Sequence, residues 1–135
     1  MRPRIAQELT LLRSAYGEVD HVEQGGEDWF RLLHYSVPAG WKVAGQAIDE
    51  APVAFLIKAD YPSAAPYGFL MPSGIMFDEQ TPGSTGNPPS PVPFGGEWTH
   101  FSWSVEDWSA RGDPTQGSNL VAWCRSFRVR LLEGA

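Results

Sequence analysis

The sequence predicts an α+β domain: an N-terminal helix, an antiparallel four-stranded meander, a long loop rich in proline and glycine, and a C-terminal helix. Three observations carry this expectation. Apolar residues recur at the helical period near both ends of the chain, the middle alternates with a period of two, and a stretch with neither period separates the two regimes.

Ile5, Leu9, Leu12 and Tyr16 are spaced to fall on one helical face. Pro3 suits a first turn, where its missing N–H costs nothing, and Gly17 suits a C-terminal stop. A helix this short is not stable alone in water and must bury its stripe. The next region reads as strands. Residues 29–37 are dense in aromatic and branched side chains, bounded by Gln24-Gly25-Gly26 and Pro38-Ala39-Gly40. Val53, Phe55, Ile57 and Ala59 alternate with Ala54, Leu56 and Lys58, so one face of that strand is wholly apolar. Residues 19–22 and 68–71 complete the expected meander, whose short connections fit antiparallel pairing. Residues 78–97 then mix Gly83, Gly86, Gly95 and Gly96 with Pro82, Pro88, Pro89, Pro91 and Pro93. A loop this long in a small domain is expected to be mobile and to take part in binding. The last helix is expected to open at Ser118 as N-cap, with Leu120, Cys124, Phe127 and Leu131 on its buried stripe and Gly134 beyond its end.

The length of 135 residues fits one domain spanning 1–135, and 42% hydrophobic against 19% charged residues marks a chain that folds. A net charge of -6 with scattered basic residues argues against nucleic acid, whose phosphates demand a clustered basic surface. No run approaches the roughly 20 apolar residues of a membrane span. Met1-Arg2-Pro3-Arg4 leads into an amphipathic rather than an apolar stretch, and Cys124 is the only cysteine. The expectation is a reduced, cytoplasmic protein without a Cys-cluster metal site or a bound cofactor.

Cys124 invites a catalytic role, but its place on the apolar stripe makes it a core residue with a suppressed thiolate. His21, His34 and His100 share no metal-ligand spacing, and no carboxylate pattern surrounds them. His34 reads as a packed or edge histidine. His100 follows the long loop and stands near Ser102, which makes this pair the candidate catalytic residues; imidazole moves protons near neutral pH. Acid pairs such as Glu27/Asp28 and Glu106/Asp107 fall at turns, where carboxylates are commonly solvated. Trp98, Phe101, Trp103 and Trp108 form an aromatic cluster and are the candidate partner-binding residues, since aromatics dominate interface hot spots. The segment Tyr61-Pro62-Ser63-Ala64-Ala65-Pro66-Tyr67-Gly68-Phe69 directly follows the strongest strand, and its prolines predict a rigid exit from the sheet.

In this order of elements the chain resembles the ubiquitin-conjugating enzymes, and most closely their divergent bacterial members. Residues 5–16 match that family's first helix, 29–60 its central strands, Tyr61-Pro62 with Pro66 its Tyr-Pro signature, 78–104 its active-site loop, Trp108 its tryptophan, and 118–132 its following helix. The family's catalytic cysteine follows a His-Pro-Asn motif shortly before the tryptophan. This chain has neither there; His100, Phe101, Ser102 and Trp103 occupy the region. The resemblance therefore implies the fold, with a ubiquitin-like protein and a ubiquitin-activating-type adenylating enzyme as partners. It implies a cysteine-less member that binds the modifier or its activating enzyme. Two alternatives stand beside it: an active conjugating enzyme using Cys124, Ser102 or His100, and an interaction module of the RWD type that does no chemistry.

Overall fold

Both helices lie on the same face of an antiparallel sheet, as seen in a computed structural model that describes residues 1–135. Helix α1 (Pro3–Tyr16) starts with proline in its first turn and ends at Gly17, whose positive φ of 81° an L-residue would resist. Strands β1 (Val19–Gln24), β2 (Glu27–Ser36), β5 (Glu50–Ile57) and β6 (Phe69–Pro72) form the expected meander. The sheet does not stop at four strands. β9 (Trp98–Phe101) pairs with β6 and β8 (Thr85–Gly86) with β9, giving six in the order β1-β2-β5-β6-β9-β8. A second sheet of three, with β3 (Trp41–Val43) between β4 (Gln46–Ala47) and β7 (Ile75–Phe77), stands apart from it. These short strands carry too few residues to show a period, which is why alternation missed them.

The period of two sorts the main sheet into two apolar faces. Phe30, Leu32, Val53, Phe55, Ile57, Phe69, Met71 and Phe101 point to the helices and join the core with Ile5, Leu9, Leu12, Leu120, Trp123, Cys124, Phe127 and Leu131. Phe127 stacks on Phe69 with ring centroids 4.4 Å apart, and Phe69 stacks on Phe101 at 5.1 Å. Such pairs contribute about 0.5–1.5 kcal/mol each beyond burial. A bulge between Leu32 and Tyr35 changes the parity of β2 and keeps Tyr35 on the core face, where its hydroxyl donates to Cys124 O at 2.6 Å. Ala59, expected to continue the apolar face of β5, lies beyond the strand and is exposed.

Helix α2 (Leu120–Leu132) buries the expected stripe, with Trp123 and Arg130 in addition. Its N-cap is Asn119 rather than Ser118: the Asn119 side chain accepts from Ala122 N at 2.8 Å, while Ser118 Oγ accepts from Ser109 N at 2.9 Å. At the other end Trp41 Nε1 donates to Leu131 O at 3.0 Å and satisfies one orphan carbonyl. No helix is long and apolar enough to cross a membrane.

Candidate functional site

The Tyr-Pro segment is built into a knot that joins three elements. Glu8 of α1 faces the core and is 1% exposed. Its Oε2 accepts from Tyr61 OH at 2.5 Å and from Arg4 Nε at 2.7 Å, and its Oε1 accepts from Leu120 N at 2.6 Å, the first amide of α2. A carboxylate is favoured there, because the first turn of a helix presents unsatisfied N–H groups and a positive dipole end. Burial first, and then the Glu8 charge, push the Tyr61 pKa up, so its hydroxyl stays protonated and donates. Trp108 completes the knot: its indole N–H donates to Pro62 O at 2.8 Å and its ring lies 5.8 Å from that of Tyr61. The Tyr61–Pro62 peptide bond is cis. Arg2 donates to the Ala59 carbonyl at 3.2 Å and to the Tyr61 carbonyl, fixing the exit from β5.

This anchored segment forms one wall of a cleft of about 340 Å³. Leu56, Leu70, Tyr67, Pro89 and His100 line it, together with Lys58 and Asp60. Leu70 and His100 are register partners on β6 and β9, which puts the imidazole on the sheet face away from the helices. The ring lies against Gly68: a Cβ added there would collide with His100 Nε2, and the Gly68 φ of 75° also disfavours an L-residue. Tyr67 is 61% exposed, with its ring 6.0 Å from the imidazole. Burial lowers the His100 pKa, so the ring is neutral at pH 7 and offers one donor and one acceptor.

His100 and Ser102, the expected catalytic pair, have different surroundings. His100 lines the cleft; Ser102 is exposed just beyond β9, and its backbone N–H donates to Ser84 O at 2.9 Å. No hydrogen bond joins the two side chains, so the structure gives the Ser102 hydroxyl no base to activate it. The four aromatic residues of the expected contact cluster divide between buried and half-buried positions. Phe101 is fully buried in the core and Trp98 is buried on the other face, which removes both from any surface open to a partner. Trp103 and Trp108 are half-buried and tied down, Trp103 Nε1 donating to Ser126 Oγ at 3.0 Å. Cys124 is 0% exposed and burial raises its thiol pKa well above the ordinary value.

The other histidines correct the sequence reading, because each has carboxylate partners reached across strands. His21 Nε2 lies 2.7 Å from Asp28 Oδ1, and Asp28, expected in a solvated turn, is buried with Arg2 3.8 Å away. His34 lies 3.0 Å from Glu50 and 3.4 Å from Glu18 at the surface. Cross-strand partners depend on register, which spacing along one segment does not reveal. No group of His, Cys, Asp and Glu side chains is placed to hold a metal ion. Tyr67 was the other omission; its place between Pro66 and Gly68, in the most distinctive segment of the chain, was the signal that could have found it. Comparisons with protein-family models, curated proteins and solved structures found no match for this chain.

Proposed function

We propose that the chain is a ubiquitin-conjugating-like protein without an active-site thiol, which binds a ubiquitin-like protein or its activating enzyme without covalent transfer. The observation that carries this reading is the separation of the thiol from the cleft. Cys124, the only cysteine, is sealed between the helices and the sheet, whereas the cleft beside the Tyr-Pro segment is lined by His100 and Tyr67. A thioester needs an accessible thiolate, and burial withholds both access and ionisation. The order of helix, meander, Tyr61-Pro62, long loop and second helix supports the family reading. The cleft supports the binding reading: it suits a short extended segment, with the neutral imidazole as donor or acceptor and exposed Tyr67 as a hot-spot aromatic.

The test is incubation with a cognate ubiquitin-like protein, its activating enzyme and ATP, followed by electrophoresis with and without thiol reductant. Association without an adduct, weakened by Tyr67→Ala, is expected. A reductant-sensitive adduct lost in Cys124→Ser would overturn the thiol-less reading. An adduct stable to reductant and lost in Ser102→Ala would move the chain to the enzymes.

A further inference from the structure

The long loop does more than connect β7 to β9. After β8, residues 87–94 cross the face of the main sheet opposite the helices. There Phe94 is buried with Trp29, Ala54, Leu70 and Trp98, and Val92 packs against the same cluster. The Phe94 ring meets Trp98 edge-on at 6.5 Å, and the Arg31 guanidinium sits 4.8 Å above it. Yet no backbone hydrogen bond involves any residue from Asn87 to Phe94. Pro88, Pro89, Pro91 and Pro93 have no N–H to donate, so the strap lies on the face by its side chains alone. Glycine bounds it on both sides, Gly86 before and Gly95-Gly96 after. Gly96 has a φ of 88° and nothing within 4 Å of where a Cβ would stand.

We infer that this outer face is a binding site for an extended, proline-spaced peptide with an aromatic anchor, closed here by the chain's own strap. The strap shows the ligand chemistry: an aromatic ring between Trp98 and Arg31, a branched aliphatic residue two positions before it, and prolines that keep the backbone extended. Such a segment gives up little conformational entropy on docking and needs no ladder of hydrogen bonds. A cover with side-chain anchors and no backbone bonds belongs to the low-stability end of a fold, where local opening precedes global unfolding. The tethered strap competes at a high effective concentration, so a peptide in trans binds well only when the strap is weakened. The anchors Phe94 and Val92 lie outside the cleft beside His100, although Pro89 of the strap and Leu70 beneath it also line that cleft.

The test uses the full chain and a fluorescein-labelled peptide with the sequence of residues 87–96, read by fluorescence anisotropy. Phe94→Ala and the milder Val92→Ser in the chain are each expected to bind the peptide about tenfold or more tightly than the unaltered chain. An unlabelled peptide lacking the aromatic ring should not displace it. Equal binding to all three chains, or none to a folded variant, would overturn the inference. So would a strap-dependent dimer in light scattering that excludes the peptide, because the face would then prefer a second copy. If near-ultraviolet circular dichroism shows that both variants lose tertiary structure, the strap is part of the folding unit and not a removable cover.

Discussion

Tyr61→Phe removes one oxygen atom and leaves the ring that packs on Trp108. The lost hydroxyl donates to a buried carboxylate at 2.5 Å, and hydrogen bonds to charged groups contribute about 1.5–3 kcal/mol. At about 3–4 °C per kcal/mol for a chain of this size, the melting temperature should fall by roughly 5–12 °C. Glu8→Gln should cost more, about 3–5 kcal/mol, because it leaves Arg4 without its buried counter-charge. The amide it introduces also faces a site where Arg4, Tyr61 and Leu120 all donate. Urea unfolding with an unchanged m-value would place both effects in native-state stability. The double variant tests the geometry. Both changes remove the same hydrogen bond from the tyrosine hydroxyl to the carboxylate, so the combined loss should be smaller than the sum by about 1 kcal/mol or more. A Tyr61→Phe variant within about 0.5 kcal/mol of the unaltered chain, or strictly additive losses, would refute the knot as an energetic unit.

Three further outcomes follow from the geometry around the sheet. Gly68→Ala should destabilise the fold through both positive φ and collision with the imidazole, and His100→Ala in the same chain should restore the steric part, leaving a backbone cost of about 1–2 kcal/mol in urea melts; no rescue would mean that the two do not touch. Hydrogen bonding to Glu50 raises the His34 pKa, so its contribution is fully present below the unfolded value of about 6.5 and is lost as pH rises through the higher folded value. Burial lowers the His100 pKa, so stability should instead drop as pH falls below about 6.5; NMR titration should find the two imidazoles on opposite sides of that value, and reversed order would sink both assignments. Cys124 should label slowly with a thiol reagent in the native protein and fast in denaturant, whereas fast native labelling would return it to the candidate nucleophiles.

The sequence made the helices legible because their apolar stripes extend over several turns. It made β5 legible because a central strand covered on both faces reads as a near-continuous apolar run, here Val53 to Ile57. It hid what depends on register and on contacts between distant segments. Glu8 reads in sequence as an ordinary helical acid, and only the positions of Tyr61 and Leu120 make it the buried centre of a knot. Asp28 reads as a turn acid, and only the pairing of β1 with β2 brings it to His21. Residues 78–97 looked uniform because proline and glycine carry no period. The anchors Val92 and Phe94 were visible letters without a visible partner, since Trp29 and Leu70 lie far away along the chain.

The knot also changes what a Tyr-Pro signature can be taken to mean. Tyr61 has an energetic reason to be tyrosine: its hydroxyl reaches Glu8, and Glu8 in turn satisfies the first amide of α2. At Pro62 the link is to the main chain, whose carbonyl receives the Trp108 indole whatever the side chain. These links dock the helices and close the loop from β5, and none of them involves a nucleophile or a proton in transit. The Tyr61 part of the segment is therefore accounted for by the fold alone. The chemistry available at this end of the sheet is set instead by what lines the cleft, a neutral imidazole held against Gly68 beside an exposed tyrosine. Those groups can bind and orient an extended segment through hydrogen bonds and ring contacts. Lys58 and Asp60 line the same cleft and add one charge of each sign to it.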